Sequence, residues 1–256
     1  MNAGNSWMHL DIIKDICEDF LRTDFPLPHN NIILSGGDPF LHPYFTDVVQ
    51  LVRKLNNDRI SLGTNGFLIP RYISILQKND GVQVSIDGNE EIHDYIRGEG
   101  SYQKAVEALN LLQEHGIPHG IAFTTNRMNV ECIDHIINLC VETGSSTLNC
   151  NVFQPIRKSS LQPISFTEWL KVREYAIKQT QKRRIHLTSS CIENGCIAGV
   201  LGLSVLTDGT YWDCTRNQET IGRYPQKIKE VLYWDHIKNE SSRDQFGTCC
   251  RRLCYE

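Results

Sequence analysis

The run Asn31-Ile32-Ile33-Leu34-Ser35-Gly36-Gly37-Asp38-Pro39 decides the fold. Residues 31–35 read as a short buried strand, and the glycine pair with Asp38 and Pro39 ends it. The same event recurs downstream. Strands over residues 59–63, 82–86, 119–124 and 147–153 alternate with helices over 45–55, 70–77, 101–115 and 131–143. Upstream, Leu10, Ile13, Ile16, Cys17, Phe20 and Leu21 mark an amphipathic helix over 9–23. Strands separated by helices of this length need crossover connections, so the sheet is expected to be parallel and closed, or part-closed, into a barrel. The expected fold class is α/β, a partial parallel (β/α)6 barrel. The series opens on a helix, so the first strand is expected to lie before Met1.

Ligand chemistry in parallel barrels collects at the C-terminal ends of the strands. Those ends carry Ser35-Gly36-Gly37-Asp38-Pro39, then Thr64-Asn65-Gly66, Ser85-Ile86-Asp87-Gly88, Thr124-Thr125-Asn126 and Phe153-Gln154-Pro155. Any one of these is also an ordinary strand terminator. Five in succession present small, amide, hydroxyl or acidic groups to one rim, as the binding of a polar small molecule needs. Arg97 and Arg157 follow rim positions and could meet carboxylates bidentately, or could be simply solvated.

The formal net charge of −4 and a longest basic run of three, Lys182-Arg183-Arg184, leave no footprint for nucleic acid. No run of about 20 apolar residues crosses a membrane and no charged-then-apolar start is present, so no membrane partner and a cytoplasmic location are expected. The ten cysteines would stay reduced there, and clustered ones point to metal rather than to disulfides.

Six of the ten fall at residue 191 or later: Cys191, Cys196, Cys214, Cys249, Cys250 and Cys254. Between Cys196 and Cys214, a strand, the Asp208-Gly209 turn and a returning strand form a β-hairpin that folds two thiolates towards one point. Cys249 or Cys250, with Cys254, would complete four ligands, and Cys191 is a spare. Four thiolates suit an iron–sulfur cubane or a structural zinc equally on spacing alone. Cys17, Cys132 and Cys140 stand at helix positions that suit the core. The nine histidines form no His-x-x-x-His pair with a carboxylate, which removes zinc hydrolase chemistry. An aldolase-like barrel would need a barrel-end lysine, and Lys158 lies beyond the last clear strand. The expected division is a barrel over 1–158, a helical linker over 159–190 that holds the helix 166–180, and a small cluster-binding domain over 191–256.

With these motifs in hand, the chain resembles the radical S-adenosylmethionine (SAM) enzymes that carry a SPASM or twitch auxiliary domain. Gly36-Gly37-Asp38-Pro39 is similar to the family's Gly-Gly-Glu-Pro, whose backbone holds the amino end of the methionine of SAM. Thr64-Asn65-Gly66 and Val84-Ser85-Ile86-Asp87-Gly88 match the next two strand ends, where the resemblance puts Ser85 and Asp87 near the methionine carboxylate and the ribose. His93-Asp94-Tyr95-Ile96-Arg97-Gly98-Glu99-Gly100-Ser101-Tyr102 is similar to the His-Asp-x-x-Arg-Gly-x-Gly-Ser-Phe stretch of the SPASM enzymes. Cys196, Gly209 and Cys214 fit the Cys-x(9–15)-Gly-x(4)-Cys signature of the auxiliary domain, whereas the longer SPASM cysteine run is absent, as in a one-cluster twitch domain.

The resemblance implies SAM and an auxiliary [4Fe–4S] cluster as cofactors. It further implies a reductant such as flavodoxin or ferredoxin, and a peptide or protein substrate modified through a 5′-deoxyadenosyl radical. The family's Cys-x(3)-Cys-x(2)-Cys loop, which holds the SAM-chelating cluster, does not occur in this sequence. An N-terminally incomplete chain is therefore expected, with the second [4Fe–4S] cluster only in the complete protein and no cleavage of SAM by these residues alone. The alternative is a non-catalytic barrel with a metal-stabilised C-terminal domain that acts as a binding partner.

Overall fold

A computed structural model describes residues 7–23, 32–56, 58–155, 158–188, 203–215 and 218–232. These residues form two compact units. One holds residues 33–41 and 59–189; the other joins 1–32, 42–58 and 190–256.

The first unit is a six-stranded parallel sheet. Its strands are β1 (Ile33–Leu34), β2 (Ser61–Thr64), β3 (Gly81–Ser85), β4 (His119–Thr125), β5 (Thr147–Val152) and β6 (His186–Leu187), paired in chain order. Among the described residues no pairing returns β6 to β1. The helices of this unit are α3 (Ile69–Tyr72), α4 (Glu90–Arg97), α5 (Ser101–Glu114), α6 (Ile133–Glu142) and α7 (Phe166–Lys182). Between β1 and β2 the chain passes through α2 (Phe45–Leu55), which belongs to the other unit.

Period-two alternation gives the sheet two chemically different faces. On one, Leu62, Val82, Val84, Ile121, Phe123, Leu148 and Cys150 are all buried. Helices α5 and α6 pack there through Ala105, Ala108, Leu109, Leu112, Ile136 and Ile137, each fully buried. Each of the larger side chains among these, Val, Leu, Ile or Phe, contributes on the order of 1.5–3 kcal/mol of hydrophobic stabilisation, and each alanine less. On the other face β2 shows Ser61 and Gly63, β3 shows Gln83 and Ser85, β4 shows Gly120, Ala122 and Thr124, and β5 shows Thr147, Asn149 and Asn151. Register aligns Gly63, Gln83, Gly120 and Thr147 in one row across four strands. Gln83 Nε2 reaches over Gly120 to donate to Thr147 Oγ1 at 2.6 Å. A Cβ on Gly120 would lie 2.0 Å from that hydroxyl, so only glycine leaves room for the bridge.

Several elements depart from the sequence reading. Strand β1 is two residues long and Ile33 is 62 % exposed; among the described residues β1 has a sheet neighbour on one side, β2. The alternation does not stop near residue 160: α7, opened by a Ser165–Glu168 capping box, leads into β6, which pairs in parallel with β5. The sixth strand therefore follows α7, and residues 166–187 belong to the unit built on this sheet rather than to a linker. The strand was hidden because two residues are too few to show a period. Helix α4 was unassigned despite its signals, Asn89 accepting the Ile92 N–H at the N-cap and Gly98 ending it at φ 106°.

The second unit carries the expected hairpin. Strands β7 (Ser204–Val205) and β8 (Thr210–Trp212) pair antiparallel around Gly209 at φ 82°, and β9 (Thr220–Arg223) adds a third strand. The short helix α8 (Ile228–Val231) follows. This sheet closes on α1 (Leu10–Arg22): Tyr211, Ile228, Val231 and Leu232 form one apolar cluster with Ile16, bordered by Ile12 and Phe20. The first helix therefore completes the core of the C-terminal hairpin, which places it outside the 1–158 barrel read from the sequence.

Candidate functional site

Parallel pairing in chain order brings the C-terminal ends of β1 to β5 to one edge of the sheet, so the five motifs expected to form a rim do share an edge. What their side chains do there differs from strand to strand.

After β1, Ser35, Gly36 and Gly37 are exposed, and Gly36 stands at φ 135°. A Cβ on either glycine would meet nothing within 4 Å, so these backbone groups lie open. Asp38 is buried, and its carboxylate is spent on architecture. Oδ1 accepts the Phe40 N–H at 3.1 Å, and Oδ2 accepts the Thr64 hydroxyl at 2.7 Å and the Asn65 N–H at 3.0 Å. Asp38 thus ties the end of β1 to the end of β2. Thr64 Oγ1 in turn accepts the Gly66 N–H, and Asn65 Oδ1 accepts the Phe67 N–H. Pro39 opens the 3-10 turn Pro39–Leu41.

At the end of β3, Ser85 is half-buried on the polar face, and Asp87 is 4 % exposed. Asp87 Oδ2 accepts Arg97 Nε at 2.6 Å, and Oδ1 accepts the Thr124 N–H at 3.2 Å. Its N–H donates to His93 Nδ1 at 3.0 Å, and its carbonyl accepts Asn129 Nδ2 at 2.9 Å. Burial, then the neighbouring Arg97 charge, lower the His93 pKa to about 4, which suits an acceptor role for Nδ1. Asp94 accepts the Gly100 and Tyr102 N–H groups and the Ser101 hydroxyl, closing the start of α5. The Tyr102 N–H bond leads the causes that hold its carboxyl below the usual range. The stretch from His93 to Tyr102 is therefore a bracket for the Asp87 turn and the α5 N-terminus.

Thr125 is fully buried on the helix-covered face beside Cys150 Sγ, and Asn126 folds into its own turn, accepting the Met128 N–H. Gln154 follows β5 and is half-buried. Sequence reading passed over Gln83, Asn149 and Asn129. The first two alternate with apolar residues in their strands, a period-two signal for a polar face. Asn129 is fully buried and joins the Asp87 and Thr124 carbonyls from a loop, where no periodicity marks it.

Of the expected metal ligands, Cys214 is described: it follows β8, is half-exposed, and donates its N–H to Asp213 Oδ1. Cys191, Cys196, Cys249, Cys250 and Cys254 lie outside the described residues. Cys17, Cys132, Cys140 and Cys150 are buried, and burial pushes Cys17 up to about 11 and Cys140 up to about 12, the opposite of a thiolate ligand. Among the described residues no three His, Cys, Asp or Glu side chains converge as a metal site.

The family model described as the radical SAM superfamily matches residues 7–140, more than half of the chain. The chain belongs to the radical SAM superfamily. Among curated relatives, this radical SAM chain is 36% identical over 115 residues to Fe-coproporphyrin III synthase of Methanosarcina barkeri (strain Fusaro / DSM 804), covering 43% of the chain and 29% of that protein. It is 24% identical over 206 residues to the sporulation killing factor maturation protein SkfB of Bacillus subtilis (strain 168), covering 75% and 50%. The chain therefore spans half or less of these two relatives. Streptococcus suis SuiB bound to S-adenosylmethionine superposes with a TM-score of 0.70 at 14% identity, covering 93% of this chain and 60% of that one, which supports the shared fold. No described helix is long and apolar enough to cross a membrane.

Proposed function

We propose that this radical SAM chain binds SAM across the C-terminal edge of β1 to β5 and serves in the modification of a peptide or protein in the cytoplasm. One observation carries the reading: five small or polar strand ends share one edge that adjoins a polar sheet face. The donor set there fits SAM. Open backbone at Gly36 and Gly37 would take its ammonium, and Ser85 and Gln154 would face its polar groups. Asp38, Thr64, Asp87 and Asn126 would hold the turns that present them. When bound, and given one electron from a reduced iron–sulfur cluster, SAM would supply, with release of methionine, the 5′-deoxyadenosyl radical that abstracts a hydrogen atom from substrate in this superfamily. The protein's share is to orient that group and exclude water. A peptide substrate is favoured over a tetrapyrrole because the match to SkfB runs over three quarters of the chain, against 43% for the coproporphyrin enzyme.

The cluster that reduces SAM needs three thiolates, and the described cysteines do not fit a site for it. The auxiliary cluster is proposed on Cys214 with Cys196, Cys254 and one of Cys249 and Cys250, Cys191 being the spare. That cysteine inventory also favours a second reading, a barrel that binds without cleaving and serves as a partner protein. Calorimetry with SAM tests the binding, and Ser85→Leu should weaken it at least tenfold. After anaerobic reconstitution with iron and sulfide, 5′-deoxyadenosine formed with dithionite separates the readings: its appearance supports the enzyme, and SAM binding without it supports the partner protein. No SAM binding at all overturns both readings of this edge.

A further inference from the structure

Helix α4 follows β3 at the C-terminal edge of the sheet, and it borders two open grooves of about 570 and 490 Å3 that share Glu91. Glu90, Tyr102 and His135 line the first, the tyrosine hydroxyl and His135 Nε2 standing 2.8 Å apart. Tyr95 of α4 and Met128 of the loop after β4 line the second, with Glu99. Tyr95 is 68% exposed, more than any other large apolar side chain among the described residues, and Met128 is 42% exposed. Two bare apolar side chains from different elements in one groove mark a surface that a partner covers.

The charge around it sets the partner. Glu90, Glu91 and Glu99 are exposed and make no ion pair or hydrogen bond among the described residues. Burial, then the charges of Glu142 and Glu90, push the Tyr102 hydroxyl up, so the negative field reaches the aromatic lining of the first groove. The dipole of α4 accounts for carboxylates at Glu90 and Glu91 in its first turn, but not for Tyr95 and Met128 left bare beside them. An anionic guest would be repelled. A metal ion would need converging ligands, and among the described residues no such group exists. Lysine and arginine meet both demands, with a charged tip for the carboxylates and an apolar stem for the tyrosine rings and the adaptable methionine.

We propose that these grooves dock a lysine- or arginine-bearing segment of the polypeptide substrate, apart from the residue that reacts. The inference rests on the reading that this chain binds SAM at the strand ends and modifies a peptide or protein. A segment held beside α4 raises the effective concentration of the rest of the substrate at the neighbouring strand ends. Each surface pair is weak and screened by salt, so the hold is modest and lets a modified product leave.

The probe is the peptide N-acetyl-Lys-Leu-Gly-Lys-Phe-Gly-Lys amide, compared by fluorescence anisotropy with a mate carrying glutamine at each lysine, on the full chain with SAM present. The lysine peptide should bind about fivefold tighter or more, by a margin that shrinks as salt is added. Glu90→Gln/Glu91→Gln should bring the two peptides within about twofold of each other. Glu114→Lys makes the same change of net charge at the far end of α5 and should leave the contrast as it is, which separates a docking groove from a general attraction. Unchanged SAM binding in calorimetry shows that the variants are folded. NMR shifts caused by the lysine peptide should concentrate at residues 89–102 and Met128. Equal affinities of the two peptides for the wild-type chain, or equal effects of the two variants, overturn the proposal, while SAM binding by the same protein keeps the reading of the edge. Dimerisation that the lysine peptide competes away would give the groove to a second copy of the chain and overturns it too. Absence of SAM binding removes the reading of the edge, and the standing of the guest as substrate with it.

Discussion

Asp19 in α1 accepts the backbone N–H of Ile228 at 2.7 Å, joining the first described helix to the last across 209 residues of chain. Asp15, one turn earlier, accepts the Tyr224 hydroxyl at 2.8 Å, and Lys227 stands 3.5 Å from Asp19. Asp19 therefore takes up a free donor at the start of α8, where a carboxylate also meets the positive end of the helix. The apolar cluster around Ile16 and Tyr211 lies beside these contacts.

The C-terminal hairpin should accordingly lose stability when α1 is changed. Ile16→Ala, at a buried position, should cost about 2–4 kcal/mol, and Asp19→Ala about 1–2 kcal/mol. Urea unfolding measures both. Hydrogen exchange should show the loss in β8 and β9, while β3 to β5 keep their protection. Uniform loss over both units would contradict the role assigned to α1.

Gly120 sets a second expectation. A methyl group there would meet the Thr147 hydroxyl at 2.0 Å and the Thr147 carbonyl at 2.3 Å, and backbone cannot give way as a flexible side-chain end can. Gly120→Ala should destabilise the sheet by more than about 3 kcal/mol. Gln83→Ala, which removes only the bridge to Thr147, should cost less, about 1–2 kcal/mol. Thermal melts that rank the two in the opposite order would refute the packing argument.

The alternation of strands and helices was legible because each buried strand carries β-branched and aliphatic residues bounded by Gly, Asn or Asp. Helix 45–55 was read to the residue, since Phe45, Val48, Val49 and Val52 repeat on one face and are all buried. Elements without a period escaped: the two residues of β6, and the packing of α1 on a hairpin nearly 200 residues away. The strand-end motifs were legible as a group, but not the division of labour within them. Thr64, Thr125 and Asn126 look like ligand groups in sequence, and only the structure shows their polar atoms taken up by neighbouring backbone and side chains.

His93 gives a pH expectation. Its folded pKa, lowered to about 4, lies below the ordinary 6.5, so between these values the unfolded chain binds a proton that the folded chain does not. Stability from this group is complete above about pH 6.5 and is lost as the pH falls towards 4, by an amount on the order of 3 kcal/mol. Unfolding free energy measured from pH 7 to 4 should fall with that sign. His93→Asn can still accept the Asp87 N–H and cannot titrate, so it should flatten this part of the profile. An unchanged slope in that variant would assign the acid sensitivity elsewhere.

The last expectation separates ligand cysteines from core cysteines. Cys214 is half-exposed beside a strand end, whereas Cys17 and Cys140 are held as neutral thiols by burial. Metal binding requires the thiolate, and a thiol pushed up to about 11 or 12 is protonated at neutral pH in all but a minute fraction of molecules. Reconstitution with iron and sulfide should therefore load close to one cluster per chain, with broad thiolate-to-iron absorption near roughly 400 nm. Cys214→Ala should abolish that signal, and Cys196→Ala should do the same. Cys17→Ala and Cys140→Ala should leave iron content unchanged while lowering the melting temperature, because each removes a packed side chain. Tight binding of one zinc without charge-transfer absorption would assign the tail to a structural zinc site. Loss of iron from the Cys17 variant alone would mean that α1 contributes a ligand despite its burial in this fold.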